Sequence, residues 1–354
     1  MPCADIVGGA AARTAPAPAA ESSFRRLTLF PTLIDYFMSN AMATMKAVRF
    51  HTYGASDVLV YEDAPKPEPA AGEVLVKVYA TSVNPIDWKI RAGHMKGFRE
   101  YPLPFILGWD VSGVVESVGS GVSGLKPGDE VYGRPDAARN GAYAEYVAIK
   151  ESELAPKPRN LDHIHAAAIP LAGLTAWQAM FDTAGLTAGQ KVLVHAAAGG
   201  VGHLAVQFAK TKGLYVAGTA SGRNQKYLKQ LGCDLPINYE STRFDDVVHD
   251  FDTVIESMGG EVRSRSWKVL KKGGMLVALI GPPPSEDDAK SHGVRASIIW
   301  GQMNAAQLTE IGLLADSGRV KPEVAAVFPL RDAAKAHQMS ETEHVRGKIV
   351  LQVV

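Results

Sequence analysis

A glycine-rich turn carries the residue pattern with the clearest chemistry in this sequence. In VLVHAAAGGVGHLAVQFAK the spacing Ala197-x-Gly199-x-x-Gly202 follows an apolar strand and opens a predicted helix. Glycines let a backbone approach a pyrophosphate, and the free N–H groups and dipole of a helix N-terminus favour its charge. Ala197 stands where the strict motif has glycine, but the strand-to-helix context favours a dinucleotide site over a turn without a ligand. The residues predicted to contact the cofactor here are Ala198, Gly199, Gly200 and Val201.

The end of the following strand predicts which dinucleotide is bound. NAD sites usually present Asp or Glu there to the ribose 2′-OH, whereas NADP sites present cations and hydroxyls to the 2′-phosphate. Here the strand runs into GTASGRNQK, and no acidic residue occurs between Asp182 and Asp234. Ser221 and Arg223 are therefore the predicted phosphate ligands, with Lys226 as a further candidate. The sequence favours NADPH over NADH.

The pair Trp109-Asp110, in the glycine-containing stretch ILGWDVSGVVESVGSGV, raises the question of a metal site. A zinc site needs several Cys, His or carboxylate ligands at suitable spacing. This chain has only two cysteines, Cys3 and Cys233, which excludes a disulfide framework and a thiolate zinc cluster. From these residues alone, the pair could belong to a catalytic site, mark the place of a metal ligand, or only pack.

Composition and charge limit the class of protein. The chain has 354 residues, 46% of them hydrophobic and 21% charged, which suits a protein that buries two cores. Lys plus Arg equal Asp plus Glu at 37 each, so no basic field predicts a nucleic-acid partner. No apolar run reaches the roughly 20 residues that span a bilayer. We therefore expect a soluble, cytoplasmic protein without a membrane partner.

The predicted secondary structure that must position these residues changes along the chain. From Lys46 to about Ile149, segments such as MKAVRF and EVLVKVYATSVN alternate apolar and polar residues, which predicts short strands. Strands and helices then alternate, which predicts a parallel sheet covered on both faces. The predicted strands here include KVLVHAA, LYVAGT, LPINY, DTVIESMG and MLVALIG, and the predicted helices include VGHLAVQFAKTKG, NQKYLKQLG and EVRSRSWKVLKKGG. We expect the tail, with helix AAQLTEIGLLADSG and strand GKIVLQVV, to complete the β-rich half.

The first 44 residues do not match the rest of the chain. They are Ala- and Pro-rich and then weakly apolar, and strand-like sequence begins only at Met45. A transit peptide is poor in acidic residues, whereas this segment contains Asp5, Glu21 and Asp35. A secretory signal needs an uninterrupted apolar core, which this segment lacks. We predict a disordered leader or a start assigned too early, with a transit peptide as the alternative.

From Met45 to Val354 the sequence resembles the medium-chain dehydrogenase/reductase superfamily. The segments that carry the resemblance are MKAVRFHTYG, AGEVLVKV, NPIDWKIRAG, GWDVSGVVESVGSGVSGLKPGDEVYG, AAAIPLAGLTAWQA, AAAGGVG and GKIVL. The resemblance implies an α/β protein with a GroES-like, mainly β catalytic domain and a Rossmann domain with a doubly wound parallel sheet. We expect the catalytic domain at residues 45–165 and 304–354, the Rossmann domain at 166–303, and a cofactor cleft between them.

The metal ligands of the superfamily's zinc enzymes are missing from this chain. Zinc alcohol dehydrogenases have Gly-His-Glu where this chain has Gly108-Trp109-Asp110, and they have cysteine ligands that it lacks. The resemblance therefore implies that Trp109 and Asp110 take the place of metal ligands. We expect no bound metal, with Asp110 as a structural carboxylate and Trp109 packed in the cleft. Within the superfamily the chain looks like the zinc-independent quinone oxidoreductases. It looks most like the alkenal and enone reductases, whose NPxDWKI pattern matches Asn84 to Ile90.

Catalytic candidates follow from the same resemblance. NADPH would deliver hydride to the β-carbon of an α,β-unsaturated carbonyl, and the enolate oxygen then needs hydrogen-bond donors. Asn84 is the candidate for orienting nicotinamide or substrate, with a turn asparagine as the alternative. Lys89 is the candidate donor to the oxygen, with a solvated strand lysine as the alternative, and His94 is a further candidate acid. Met95 stands where enoyl-thioester reductases have tyrosine, which disfavours acyl-thioester substrates.

Further cofactor contacts are implied by single matches to the family. Thr175 matches a residue near the nicotinamide, and Tyr239 matches an adenosine-phosphate contact. Leu279, Ile280 and Gly281 end a strand whose family counterpart borders the nicotinamide. Plain packing is the alternative for each of them. GVRASIIW resembles the edge strand through which family members pair, so we expect a homodimer.

Together these patterns predict an NADPH-dependent, zinc-independent oxidoreductase that reduces the activated C=C bond of enals or enones without bound flavin. A quinone reductase that transfers single electrons is the alternative enzyme. A non-catalytic NADPH-binding protein, like the crystallins or RNA-associated factors of the family, is the alternative of another class. Product identity separates the two enzymes, and turnover separates both from the binding protein.

Overall fold

The computed structural model describes residues 43–354. They form a six-stranded parallel sheet, a seven-stranded, mainly antiparallel sheet that is called the antiparallel sheet below, and a small three-stranded antiparallel sheet. The predicted leader, residues 1–44, lies outside the described residues except for its last two. The strands are β1 (Thr44–Phe50), β2 (Leu59–Pro65), β3 (Glu73–Val83), β4 (Phe105–Ile106), β5 (Val111–Val118), β6 (Glu130–Gly133), β7 (Tyr146–Lys150), β8 (Leu154–Pro156), β9 (Lys191–Val194), β10 (Tyr215–Ala220), β11 (Leu235–Asn238), β12 (Phe251–Glu256), β13 (Leu270–Ala278), β14 (Arg295–Ile298), β15 (Val324–Pro329) and β16 (Lys348–Gln352). The helices are α1 (Pro85–Arg91), α2 (His163–Ala167), α3 (Pro170–Trp177), α4 (Gly202–Thr211), α5 (Gln225–Gln230), α6 (Gly260–Ser266), α7 (Glu286–Ser291), α8 (Ala305–Asp316) and α9 (Ala333–Glu341). In this part of the chain no helix has the length and apolar character needed to cross a membrane.

The parallel sheet is doubly wound. Its strand order is β11-β10-β9-β12-β13-β14, and neighbouring strands run parallel. Successive side chains of a strand point to opposite faces: Val192 and Val194 join a core with α3, α4 and α8, whereas Leu193 joins a second core around Trp267. Burial on both faces explains the apolar runs from which these strands are predicted. The α/β fold class predicted from the sequence is confirmed.

The antiparallel sheet joins the β-rich half to the end of the chain. Its order is β15-β16-β3-β5-β6-β8, and β7 also pairs with β3. β15 and β16 run parallel, and the other neighbours run antiparallel. The last strand, β16, pairs with β3, so that Ile349 lies opposite Val83. Helix α8 contacts both sheets: it shares a core with α3 and α4, and the Tyr132 hydroxyl of β6 donates to the carbonyl of Leu308 at 2.5 Å. The predicted boundaries at residues 165, 166, 303 and 304 therefore stay a prediction.

Pairing between β3 and β5 brings two functional candidates together. β3 ends directly before Asn84, and β5 begins directly after Asp110. The antiparallel register sets Ala80 opposite Ser112, so the two strand ends meet at the same edge of the sheet. Asn84 and Asp110 are therefore neighbours although 26 positions separate them in the sequence.

The segment that contains Lys89 is helical. Lys89 lies on α1, so the strand alternative for this residue is wrong. Pro85 occupies the first turn, where its fixed φ suits a helix and its missing N–H is not needed. The carboxylate of Asp87 accepts the N–H of Asn84 at 2.6 Å, which is half of a capping box. The start signal of a helix therefore decides the conformation of this segment.

The segment EVRSRSWKVLKKGG is helical only in its first half. α6 ends at Ser266, and β13 already begins at Leu270, which pairs with Phe251 of β12. Gly273 has a φ of +77°, a conformation that a helix interior does not allow. The prediction of one continuous helix is wrong, because a strand in the sheet and a glycine turn replace its second half.

Gly113→Ala is expected to loosen the ladder that sets Asn84 beside Asp110. A Cβ at position 113 would overlap the carbonyl oxygen of Lys77 in β3, so the two strands would have to separate. Overpacking of this kind costs about 1–3 kcal/mol, and urea unfolding should show that loss. Gly97→Ala is the matched control, because its Cβ would meet no atom within 4 Å. Equal stability of the two variants would contradict this account of the ladder.

Candidate cofactor and substrate site

The chain changes direction across the parallel sheet next to β9. β10 and β11 lie on one side of β9, and β12 returns on its other side. Open α/β sheets bind ligands at such a switch point, in the crevice outside the carboxyl ends of the strands. The carboxyl ends of β9 and β12 therefore mark the candidate site.

The glycine-rich turn connects β9 to helix α4 at this crevice. A side chain on Gly202 would overlap the carbonyl oxygen of Ala196, so only glycine allows this close approach. Within residues 43–354 the N–H groups of Gly200 and Val201 have no hydrogen-bond acceptor. The turn therefore presents free backbone donors at the N-terminus of a ten-residue helix, an arrangement that suits an anion.

The last strand of the antiparallel sheet meets the glycine-rich turn. Gly347 donates a hydrogen bond from its N–H to the carbonyl of Ala198 at 2.9 Å. The aliphatic stem of Lys348 lies 3.0 Å from the position that a Cβ of Gly200 would occupy. A larger residue at position 200 would therefore displace the lysine. The two sheets meet where this turn faces Lys348.

Lys348 is buried and reaches the candidate residue Asn84. Its side chain is only 4% exposed, and its Nζ donates to Asn84 Oδ1 at 2.5 Å and to the carbonyl of Val83 at 3.3 Å. The other end of the Asn84 amide, Nδ2, donates to Asp110 Oδ2 at 2.7 Å. Both ends of the amide are held, which fixes its orientation.

Asp110 is fully buried at the centre of these contacts. Its Oδ2 accepts hydrogen bonds from the Ser82 hydroxyl and the Asn84 amide, and Lys348 Nζ lies 3.5 Å away. Its Oδ1 accepts the N–H of Leu171 at 2.6 Å, in the first turn of α3. A carboxylate offers about four acceptor positions, and these partners engage them. The Asp110 cluster is defined here as Asp110, Ser82, Asn84, Leu171 and Lys348.

Burial governs the protonation of the charged groups in and beside the cluster. Burial lowers the pKa of Lys348, and the charges of Asp110 and Asp87 oppose that shift. Burial also raises the pKa of Asp87 to about 7; the hydrogen bond from the Asn84 N–H opposes this rise, and the charge of Asp110 adds to it.

Lys89 and Thr175 are not members of the Asp110 cluster. Lys89 is half-buried on α1, with its ammonium 5.3 Å from the centre of the Trp88 ring and no ion-pair partner among residues 43–354. The Thr175 hydroxyl donates to the carbonyl of Leu171 at 2.7 Å and faces the backbone of Gly301. Thr175 therefore lies one helical turn beyond the residue that holds Asp110.

Ser221, Arg223 and Tyr239 lie together at the carboxyl ends of β10 and β11. Ser221 directly follows β10, and the N–H of Tyr239 donates to the carbonyl of Ala220 at 3.2 Å. Arg223 is exposed, and its guanidinium donates to the carbonyl of His344 at 2.8 Å. The loop before β16 thus contacts Arg223.

The predicted contacts after β13 are held by a buried ion pair. Glu256, at the end of β12, is fully buried and pairs with Arg263 at 2.6 Å. The same guanidinium donates to the carbonyls of Ile280 at 2.8 Å and Pro282 at 2.5 Å. The backbone that the pair fixes contains the predicted contacts Leu279, Ile280 and Gly281.

The crevice suits a dinucleotide better than a metal ion. The glycine-rich turn offers unpaired N–H groups for a pyrophosphate, and the strand ends on both sides of it carry the predicted adenosine and nicotinamide contacts. In the part of the chain that the structure describes, no three His, Cys, Asp or Glu side chains lie close enough to hold a metal ion. Trp109 is a core residue, 1% exposed, in an apolar cluster with Phe50 and Phe105, rather than a cleft residue.

Several members of the site carry little or no signal in the sequence. Lys348 is one charged residue at the start of an apolar strand, GKIVL, and that pattern is a usable signal for a buried lysine. Ser82 and Leu171 have no such signal, because a hydroxyl in a strand and a backbone N–H are common everywhere. The sequence also does not indicate that Glu256 pairs with Arg263, because charged residues at this spacing usually face solvent.

Comparisons with known proteins agree with this architecture. The family model described as "Alcohol dehydrogenase GroES-like domain" matches residues 70–159, and the model described as "Zinc-binding dehydrogenase" matches residues 231–351. The chain is 38% identical over 324 residues to the 2-methylene-furan-3-one reductase of Solanum lycopersicum, covering 88% of this chain and 79% of that protein. It is 38% identical over 322 residues to the NADPH-dependent alkenal/one oxidoreductase, chloroplastic, of Arabidopsis thaliana, covering 87% and 79%.

A solved structure supports the same relationship. The quinone oxidoreductase from Coxiella burnetii superposes with a TM-score of 0.81 at 38% sequence identity, covering 88% of this chain and 100% of that one. The predicted GroES-like and Rossmann folds are thereby confirmed. The chain belongs to the medium-chain dehydrogenase/reductase superfamily, in its branch of quinone oxidoreductases and alkenal/one oxidoreductases.

Proposed function

We propose that the chain is an NADPH-dependent reductase of the activated C=C bond of enals and enones, and that it works without a bound metal. The tomato and Arabidopsis relatives are named for a 2-methylene-furan-3-one and for alkenals and alkenones. A 2-methylene-furan-3-one has its exocyclic C=C bond conjugated to a carbonyl. This shared chemistry supports a conjugated carbonyl as the substrate class.

The observation that carries the proposal is the Asp110 cluster. A metal ion that polarises an alcohol needs about three protein ligands with free lone pairs. Asp110 takes the place of a metal ligand in the resemblance, but Ser82, Asn84 and Leu171 already engage its oxygens. A conjugated carbonyl needs no such ion, because its own double bond carries the developing charge to the oxygen.

The cluster also supports a role for Asn84 in the reaction. Bound NADPH supplies a hydride for the β-carbon of the substrate, and the charge that develops on the carbonyl oxygen needs donors already in place. Asn84 Nδ2 has two N–H groups, of which Asp110 accepts one. The second can contact the nicotinamide or the substrate. Because Asp110 and Lys348 fix the amide, that contact needs no reorganisation.

Lys89 is the second donor of the proposal. It lies on the helix that starts beside Asn84, and its ammonium is free of acidic partners within residues 43–354. A free ammonium can donate to the enolate oxygen, while the α-carbon takes a proton from a side chain or water. The saturated carbonyl is the product.

Ser221 and Arg223 support NADPH as the cofactor. A hydroxyl and a guanidinium at the end of β10 are the groups that bind a ribose 2′-phosphate. Tyr239 lies beside them, where the family resemblance implies an adenosine-phosphate contact. The remaining proposed cofactor contacts are Thr175, Ala198, Gly199, Gly200, Val201, Leu279, Ile280 and Gly281.

Assembly and location belong to the proposal as well. β14 lies at the edge of the parallel sheet and pairs only with β13 within residues 43–354. Such an edge can extend a sheet across a two-fold axis, which supports a homodimer. A cytoplasmic location and the absence of nucleic-acid and membrane partners stay predictions from the sequence.

Quinone reduction is the second candidate function, because the similar structure from Coxiella burnetii is a quinone oxidoreductase.

Chelator-treated protein should oxidise NADPH with a 2-alkenal or a cyclic enone and form the saturated carbonyl, identified by mass spectrometry. NADH in parallel should react more slowly. Turnover of benzoquinone alone would favour the second candidate. Nucleotide binding without turnover of an enal, an enone or a quinone would overturn both in favour of a binding protein.

Arg223→Ala is expected to weaken NADPH binding selectively. Loss of a charge-assisted hydrogen bond to the 2′-phosphate should raise the Kd of NADPH about tenfold, whereas the Kd of NADH should not change. Lys229→Ala is the control, since Lys229 is an exposed cation on the neighbouring helix α5. Titration by nucleotide fluorescence measures both constants. An unchanged NADPH/NADH ratio in Arg223→Ala would remove this residue from the phosphate site.

A further inference from the structure

The end of β10 holds a negative side chain among the proposed phosphate ligands. Glu240 Oε2 accepts the N–H of Gly222 at 2.8 Å. Gly222 lies between Ser221 and Arg223, the two residues proposed to bind the 2′-phosphate. The stretch after β10 shows no acid in the sequence, because Glu240 comes from the end of the neighbouring strand, β11. The structure thus places an anion where the linear sequence shows only cations and hydroxyls.

The strand ends and a glycine hold Glu240 in this place. The N–H of Tyr239 donates to the carbonyl of Ala220 at 3.2 Å and joins the ends of β11 and β10. The N–H of Glu240 donates to Asn238 Oδ1 at 3.1 Å. At Gly222 a Cβ would lie 3.1 Å from Glu240 Oε2, tighter than an ordinary contact. The glycine therefore makes room for the carboxylate to reach the N–H.

A carboxylate at this position affects the two dinucleotides differently. A 2′-phosphate held by Ser221 and Arg223 would lie next to the Gly222 N–H that Glu240 already occupies, and the two negative charges would repel each other. The 2′-OH of NADH can donate to a carboxylate. In other Rossmann domains that bind NAD, an acid at the end of the strand that corresponds to β10 holds the ribose in this way. Glu240 and Arg223 therefore have opposite effects on the choice of cofactor.

We propose that Glu240 is a specificity-determining residue that competes with the 2′-phosphate for the Gly222 N–H. It lowers the preference for NADPH over NADH below the value that Ser221 and Arg223 would produce alone. This inference rests on the proposed function, because it requires the crevice to bind a nicotinamide dinucleotide. NADPH binding displaces the Glu240 carboxylate from Gly222, whereas NADH binding retains the carboxylate as an acceptor.

The test is Glu240→Gln, which keeps the shape of the side chain and removes its charge. Kd values for NADPH and NADH are measured by fluorescence titration of the full chain at low ionic strength. We expect NADPH to bind about threefold to fivefold more tightly, in line with the strength of an exposed charge interaction. NADH should bind no more tightly than before. Glu286→Gln is the matched control, because Glu286 is an exposed glutamate on α7 whose only ion pair in the described residues is with Lys290.

The possible outcomes separate this inference from the function on which it rests. If wild-type protein binds both dinucleotides and Glu240→Gln leaves their Kd ratio within the range of the Glu286→Gln control, the role of Glu240 is overturned and the dinucleotide site stands. If the wild-type protein binds neither dinucleotide, the proposed function fails and this inference fails with it. A rise in NADPH affinity that disappears at high salt supports a charge effect of Glu240.

Discussion

A carboxylate buried away from water is stable only when hydrogen bonds or charges match its lone pairs. Asp110 is fully buried, and the rest of the site follows from that constraint. Its partners are Ser82 near the end of β3, Asn84 at the start of α1, Leu171 at the start of α3, and Lys348 in β16. Ser82 and Asn84 are near neighbours in the sequence, so three distant segments must converge on Asp110 before its charge is satisfied. The cluster therefore ties local structure to the tertiary fold.

The same cluster connects the substrate side of the site to the cofactor side. Lys348 holds the Asn84 amide with its nitrogen, and its stem packs against Gly200 of the glycine-rich turn. Gly347 donates to the carbonyl of Ala198 in the same turn. A shift of β16 would therefore move both the proposed substrate donor and the proposed pyrophosphate donors. This coupling gives a physical reason for the last strand of the chain to return to the first half.

The sequence predicts the local features of this protein and misses the non-local ones. The doubly wound sheet and the glycine-rich turn follow from apolar periodicity and spacing, which are properties of neighbouring residues. A strand is the sequence alternative for Lys89, but the helix start at Asn84 places this residue on a helix. The burial of Lys348 depends on a contact across 264 positions, and the position of Glu240 depends on a contact across 18. Neither can be seen from the composition of its own segment.

The most direct test of the account is a double-mutant cycle between Asp110 and Lys348. Urea unfolding and the Kd of NADPH would be measured for Asp110→Asn, Lys348→Met and the double variant. Each single change removes the opposite charge from a buried charged group while its other hydrogen bonds remain, and breaking a buried ion pair typically costs about 3–5 kcal/mol. The account predicts that the double variant loses less than the sum of the single losses, by more than about 1 kcal/mol. Additive losses within about 0.5 kcal/mol would show that the two residues act independently and would contradict the central role of the Asp110 cluster.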